Sequence, residues 1–238
     1  MICVLCSAED THALWLTARL QARGRQVALV LPEELLIGSK LHLHLDTAAI
    51  ECSVQLARGF ALSQQCDGII NRLDSLPPLC SVSGRSTDSA YIEEEWRAAI
   101  VAWLAALSCP VLNRPTGTSL CGTRLGDGHW RYLAGQASLP VQAWSAGPAD
   151  GLAEPEPERH TGLAFVVAGD VIDPQDILSV RARHSVAALA ATARLPLCCA
   201  EFDQSSGEPR LLRLNPLAPF AAGGDELVAA IEMVFGLS

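Results

Sequence analysis

Two short apolar strands, each ending in Asn-Arg, constrain the fold more than any other feature of this sequence. GIINRL (residues 68–73) runs from an apolar strand into Asn71 and Arg72, and CPVLNRPT does the same with Asn113 and Arg114. A long helix is predicted between them, so the strands should be parallel neighbours in a strand–helix–strand arrangement. Because ligands bind along the carboxyl edge of an open parallel sheet, these polar pairs are candidate ligand-binding residues.

The predicted helix between these strands has a polar start and an apolar stripe. Asp88 or Ser89 is expected to cap it, and three glutamates at 93–95 suit the positive end of the helix dipole. The stripe that should face the core consists of Trp96, Ile100, Trp103, Leu104 and Leu107.

The opening of the chain predicts a βαβ unit. ICVLC is the expected first strand, Thr11 the expected helix N-cap and Gly24 the expected helix stop, after which QVALVL forms a second strand. The alternating phrases HLHLD and ECSVQL predict two half-buried strands. His42 and His44 share one strand face, a spacing that serves a metal ion or simply reflects alternation in an edge strand, and the second interpretation is favoured.

The final third predicts a second α/β unit after a linker at 145–162, which is acidic and rich in proline and glycine. LAFVVAGDVI predicts a hairpin that turns at Gly169-Asp170, followed by a helix over 183–194. LPLCCAEFD and PRLLRLN predict two further strands, and a last helix should start at Gly224-Asp225. The predicted domains are therefore an N-terminal α/β domain at 1–116, a connecting region at 117–161 and a C-terminal α/β unit at 162–238.

Composition narrows the classes of function. The chain has 238 residues, of which half are hydrophobic, and its formal net charge of −9 argues against a nucleic-acid surface. It has no apolar run of about 18 residues and no signal-like opening, so neither a membrane span nor secretion is expected. Nine irregularly spaced cysteines fit a reducing cytoplasm better than a disulfide framework. We therefore expect a cytoplasmic protein with no nucleic-acid or membrane partner.

The order of these phrases resembles the ATP-grasp superfamily, especially ligases of the RimK and glutathione synthetase type. The resemblance rests on the βαβ start, GIINRL, the helix into PVLNRP, WRYLAGQASLPV, AFVVAGDVI, and AEFD with LLRLNPLAPF, and it covers most of the chain. It implies an N-terminal parallel-sheet unit of the pre-ATP-grasp kind and a C-terminal unit that resembles a truncated ATP-grasp lobe.

The resemblance also implies a magnesium site in the last hairpin, which this sequence alters. Family members join a carboxylate to an amine through an acyl phosphate made from ATP, with magnesium held by an acidic residue on one strand and Glu-x-Asn on the next. Glu201, or Asp203 if the register slips, falls at the first position and Asn215 at the last. Arg213 stands where the glutamate is expected, and a guanidinium repels magnesium. A salt bridge from Arg213 to Glu201 is the expected replacement.

A second departure concerns the nucleotide-binding lobe. The family's middle lobe, with its lysines, should lie before AFVVAGD, but only the short linker occupies that interval and Lys40 is the only lysine in the chain. The sequence therefore predicts a shortened, non-catalytic relative with no cofactor, no metal and no catalytic residues. The alternative is an ATP-dependent carboxylate–amine ligase with a reduced nucleotide lobe, which would use ATP and magnesium.

The predicted ligand-binding residues are Asn71, Arg72, Asn113, Arg114, Glu201, Arg213 and Asn215. Paired arginines at strand ends suit a small carboxylate or a phosphate, since each guanidinium offers a fork of donors. Alternatively, each Asn-Arg pair only terminates a strand, with its arginine on the surface or bound to loop carbonyls. The expected partner is another protein of the same peptide- or amino-acid-modifying pathway, or a second copy of the chain.

Overall fold

The structure is a computed structural model that describes residues 1–36, 39–45, 50–59, 61–63, 66–77, 86–141, 161–205 and 207–237. Its strands are β1 (Ile2–Leu5), β2 (Val27–Val30), β3 (Lys40–Leu45), β4 (Ile50–Gln55), β5 (Ala61–Ser63), β6 (Gly68–Asn71), β7 (Val111–Leu112), β8 (Thr161–Val167), β9 (Asp170–Ile172), β10 (Leu197–Asp203) and β11 (Arg210–Asn215). Its helices are α1 (Thr11–Ala22), α2 (Pro32–Leu36), α3 (Ser86–Ala106), α4 (Asp127–Gln136), α5 (Val180–Thr192) and α6 (Phe220–Val234).

A parallel sheet of order β2-β1-β6-β7 forms the centre of the first unit. Ile2 pairs with Val27 on one side and Gly68 on the other, and all three strand pairs are parallel. The four residues of β1 and of β6 are all buried, as strands covered on both faces must be. The predicted βαβ opening and the strand–helix–strand arrangement around α3 are confirmed.

Two predicted helix caps in this unit need correction, and one helix was not predicted. Asp10, not Thr11, caps α1, because its carboxylate accepts a hydrogen bond from the Ala13 N–H at 3.0 Å. Helix α3 begins at Ser86, so Asp88 and Ser89 both lie inside it instead of capping it. Sequence reasoning also missed α2, a helix of 5 residues that is too short for a periodic apolar pattern to show. Gly24, with a φ of 80°, ends α1 as expected.

A small antiparallel sheet of order β3-β4-β5 packs its apolar face inward. Cys52, Val54 and Leu62 are buried in the same cluster as Trp103 of α3. The intervening positions form the outer face, which explains the alternating sequence. Strand β3 is at the edge of this sheet, as predicted.

The second unit is built on an antiparallel sheet of order β11-β10-β8-β9. Residues from β8, β10 and β11 pack with α4 and α5 in one cluster that includes Trp130, Val166 and Phe202. The predicted hairpin is present, but its turn is Ala168-Gly169 and not Gly169-Asp170, because Asp170 already pairs with Val167 as the first residue of β9. A register shift between Glu201 and Phe202 marks a bulge in the β10–β11 pair. The fold class is therefore α/β with one parallel N-terminal sheet and a second α/β unit, as expected.

Contacts divide the chain into one unit of residues 1–123 with 232–238 and another of residues 124–231. The domain bounds 1–116, 117–161 and 162–238 stay a prediction. Residues 142–160, which include most of the predicted linker in place of the middle lobe, lie outside the described residues. Helix α6 changes direction at Gly224, where φ is 60°. No helix in the described part of the chain combines the length and apolar character needed to cross a membrane.

Candidate functional site

The β10–β11 hairpin places Glu201 directly opposite Arg213. The Arg213 Nε donates to Glu201 Oε2 at 2.9 Å, and the Asn215 Nδ2 donates to Glu201 Oε1 at 3.3 Å. Both oxygens of the carboxylate are thus held by donors from the neighbouring strand. The predicted salt bridge is confirmed.

The strand register also decides which carboxylate faces Arg213 and Asn215. Asp203 is buried, and its Oδ1 accepts from the Ser205 N–H at 2.9 Å, so it shapes the turn that follows β10. Glu201 is therefore the acidic residue that faces Arg213, and the alternative register is not adopted.

The arrangement of Glu201, Arg213 and Asn215 does not fit a magnesium ion. Magnesium requires oxygen ligands in near-octahedral geometry, whereas here one carboxylate already accepts from a cation and an amide. Among the side chains that the structure describes, no three His, Cys, Asp or Glu groups converge into a metal site.

A cleft of about 270 Å³ lies beside the hairpin within the second unit. It is lined by Arg124, Leu125, Asp127, Trp130, Arg213, Leu214, Asn215 and Pro216. Two arginines and one aspartate give it mixed charge, and the buried Trp130 adds an apolar surface. Such a lining offers guanidinium donors, a carboxylate acceptor and an indole surface to a ligand. Sequence reasoning found Arg213 and Asn215 but missed Arg124 and Trp130, because α4 reaches this hairpin only in the folded chain.

Asn71 and Asn113 come together at the carboxyl ends of β6 and β7. The Asn71 Nδ2 donates to the carbonyl of Asn113 at 2.7 Å and to that of Leu120 at 2.6 Å. The Cys121 thiol donates to the Asn71 carbonyl, with an Sγ–O distance of 3.0 Å. Asn113 has a φ of 63°, a conformation that asparagine tolerates better than most residues. Asn71, Asn113, Leu120 and Cys121 are all buried. The hydrogen bonds among them hold the ends of β6 and β7 against the loop that follows β7.

Arg72 and Arg114 do not share a pocket in the described contacts. The Arg72 guanidinium binds Asp10 through Nε–Oδ2 at 2.6 Å and NH2–Oδ1 at 3.1 Å, and it is buried. Burial raises the pKa of Asp10, but the hydrogen bond and charge of Arg72 outweigh it, so the pKa is below its usual value.

The Arg114 guanidinium donates to backbone carbonyls at and beyond the C-terminal end of α3, namely those of Leu104, Ala105, Leu107 and Cys109. These contacts match the interpretation in which each Asn-Arg pair terminates a strand. Ligand binding by the seven predicted residues stays a prediction.

No protein-family model and no curated protein matches the sequence. Solved structures do match. The ATP-grasp ligase PsnB complexed with minimal precursor is 16% identical, with a TM-score of 0.68 and 98% of each chain covered. A RiPP-associated ATP-grasp ligase of Chryseobacterium gregarium, in complex with ADP and a leader and core peptide, is 10% identical, with a TM-score of 0.67 and 100% of this chain and 97% of that chain covered.

The macrocyclase MdnC of Microcystis aeruginosa MRC, bound with precursor peptide MdnA, is 11% identical, with a TM-score of 0.68 and 99% of each chain covered. The chain therefore has the fold of ATP-grasp ligases, which confirms the resemblance in its sequence. Its length of 238 residues agrees with the predicted short form. At these identities the likeness establishes the fold.

Proposed function

We propose that this chain is a non-catalytic protein of ATP-grasp fold that binds a peptide or a partner protein in a peptide-modifying biosynthetic system. One observation carries the non-catalytic part: Arg213 occupies the expected position of a magnesium-binding glutamate and forms an ion pair with Glu201. The partner protein in this proposal is a protein of the same pathway, as the sequence predicts. A second copy of the chain and a small carboxylate are further candidate ligands.

Electrostatics support this reading of the hairpin. A guanidinium about 4 Å from a divalent cation is repelled by roughly 2 kcal/mol in bulk water and roughly 8 kcal/mol at an effective dielectric constant of 20. The glutamate expected there would attract the same ion. Because the side chain of Arg213 is 59% exposed, the lower part of that range applies best, and even this opposes magnesium binding.

Peptide binding is supported by the cleft and by the neighbours. The three reported structures hold a minimal precursor, a leader and core peptide, and a precursor peptide. In this chain the cleft beside β11 offers arginine and amide donors, one carboxylate acceptor and an indole surface. Those groups match the donors, acceptors and apolar side chains of an extended peptide.

The nucleotide arm of the test compares the wild-type chain with Arg213→Glu and Arg210→Glu. Arg210 lies on the same strand and is exposed, so it is a matched control for the change of charge. We expect calorimetry and thermal shift to show no magnesium-dependent ATP binding by the wild type, and a gain in Mg²⁺ affinity only in Arg213→Glu. Magnesium-dependent ATP binding by the wild type would instead favour the ATP-dependent ligase.

The peptide arm uses a displayed random-peptide library selected on the immobilised full chain. We expect enriched peptides whose binding is weakened at least tenfold by Arg124→Glu, in the cleft, and is retained by Arg210→Glu. Failure to enrich any peptide, or enrichment that is indifferent to Arg124→Glu, would contradict peptide binding at this cleft. The two arms are independent, so the non-catalytic and peptide-binding parts can fail separately.

A further inference from the structure

A second cleft, of about 230 Å³, lies within the first unit, between α3 and the loop that follows β7. One wall is a stripe of α3 whose positions are three or four residues apart and therefore share one face of the helix. The other wall is the loop, which starts at the carboxyl end of a parallel strand, where ligands bind in open α/β sheets. The lining residues are Glu94, Arg97, Ala98, Val101, Thr116, Gly117, Ser119 and Leu120.

Hydrogen bonds hold both walls of this cleft in place. The Asn71 Nδ2 donates to the carbonyl of Leu120 at 2.6 Å. Within the loop, the Thr116 N–H donates to the carbonyl of Ser119 at 2.8 Å. The Arg114 guanidinium links the loop to α3, because it donates to carbonyls at and beyond the C-terminal end of that helix. The cleft is therefore preformed, and a ligand does not have to order its walls.

The cleft carries one cation and one anion side by side. The Arg97 Nε lies 3.8 Å from Glu94 Oε2, which is within ion-pair range but too far for a hydrogen bond. Within the part of the chain that the structure describes, the Arg97 guanidinium donates no hydrogen bond. The two side chains are 47% and 75% exposed, and such exposed pairs contribute little to stability. A ligand can therefore replace this pair at small cost.

Apolar side chains lie next to these two charges. Val101 is half-buried and Leu120 is buried, and Ala98 adds a methyl group to the same lining. The cleft is smaller than the roughly 300–1,000 Å³ of pockets for drug-sized ligands, so its volume suits a ligand of the size of one amino acid. Its lining thus offers a cation, an anion and an apolar surface to one small molecule.

We propose that this cleft binds a free α-amino acid with an aliphatic side chain, of the leucine or valine type. One Cα of such a zwitterion carries both an ammonium and a carboxylate, so it matches two opposite charges as close together as those of Arg97 and Glu94. The carboxylate pairs with the planar fork of the Arg97 guanidinium, and the ammonium pairs with the Glu94 carboxylate. The aliphatic side chain covers Val101 and Leu120. A peptide carries its two terminal charges on different residues and matches only one side of the pair.

The first experiment titrates the wild-type full chain with L-leucine by calorimetry, and then with three analogues. N-acetyl-leucine lacks the ammonium, leucine methyl ester lacks the carboxylate, and leucylleucine places the two charges on different residues. We expect saturable binding of one leucine per chain, and binding at least tenfold weaker for each analogue, because each loses a charge-assisted hydrogen bond. Absence of saturable leucine binding, or an analogue that binds as tightly as leucine, would overturn the proposal.

The second experiment locates the bound leucine. Arg97→Gln and Glu94→Gln each remove one charge and should each weaken leucine binding at least tenfold. Ala98→Phe should abolish binding because the ring fills the cleft. Arg210→Gln and Glu9→Gln are matched controls, since both residues are exposed and neither lines the cleft. Leucine binding that is unchanged in Arg97→Gln, Glu94→Gln or Ala98→Phe would overturn the site.

Combining the variants with the analogues assigns each charge to its partner. Because N-acetyl-leucine has no ammonium, Glu94→Gln should not weaken its binding, whereas Arg97→Gln should. Leucine methyl ester should show the reverse pattern. Equal losses for leucine and both analogues would show that the substitutions act through the fold, and would overturn the assignment. Both side chains are exposed, so we expect the variants to unfold at the wild-type Tm; the analogue series on the wild type remains decisive if a variant does not fold.

Discussion

The ion pair between Arg72 and Asp10 allows a quantitative test of whether the first Asn-Arg pair is structural. The exposed fractions of the side chains are 3% for Arg72 and 12% for Asp10, and two hydrogen bonds join them. Arg72→Met keeps the bulk of the side chain and removes the charge. Asp10 would then remain partly buried with only the Ala13 N–H as its described donor. Breaking one side of a buried pair costs about 3–5 kcal/mol, a large part of the roughly 5–15 kcal/mol stability of a domain.

The loss should depend on pH in a definite direction. In the wild type the pKa of Asp10 is lowered, so its contribution to stability is present above the unfolded pKa of about 3.9 and is lost as pH falls through the folded pKa. In Arg72→Met, burial without the cation should raise that pKa instead. The difference between variant and wild type should therefore be largest at neutral pH and shrink towards pH 4, where the variant's carboxyl is protonated.

Urea unfolding at pH 7 and pH 4.5, followed by tryptophan fluorescence, measures both effects. A double-mutant cycle with Asp10→Asn isolates the interaction from other contacts of Arg72. Arg58→Met is the control, because the side chains of the Arg58–Glu34 pair are 46% and 31% exposed and such pairs contribute roughly 0–1 kcal/mol. A loss below about 1 kcal/mol for Arg72→Met, or a loss that does not change with pH, would refute the reasoning.

Three further outcomes follow from single contacts. Arg114→Ala should lower the free energy of unfolding in urea by about 1–3 kcal/mol, because it removes the donor to carbonyls near the C-terminal end of α3. An unchanged free energy of unfolding would contradict the role of Arg114 as a cap of α3. Gly68→Ala should lower the free energy of unfolding by about 1–3 kcal/mol or more, because the new Cβ would lie 2.1 Å from the Phe235 ring. Gly135→Ala is the control, since a Cβ there meets open space and should be neutral or stabilising. Equal Tm values for the two variants would contradict the packing of Gly68 against Phe235. Burial raises the pKa of the Cys198 thiol to about 12, so iodoacetamide followed by mass spectrometry should label it only after denaturation, and native labelling would refute its burial.

The residues of the altered β10–β11 hairpin could be identified from the sequence because they lie close together along the chain. Glu201, Arg213 and Asn215 lie on two consecutive strands, so alternation along each strand predicts which residues share a face. The Glu201–Arg213 pair was implied by the resemblance to the ATP-grasp pattern, and Asp203 in the other register stayed possible until the structure gave the pairing. The parallel β1, β6 and β7 strands and the edge position of β3 were likewise predictable from apolar runs and alternating residues.

Other features depended on where the sheets place distant parts of the chain. Asp10 and Arg72 are 62 residues apart in sequence, and the residues around each of them do not predict that the two form an ion pair. Whether Arg114 would turn back to α3 or towards a ligand also depended on the position of that helix end. Local periodicity is set by side chains within a few residues, so it predicts strands and helices. The partner of a long, charged side chain is chosen among groups that come close only when the chain is folded, and only the tertiary structure decides it.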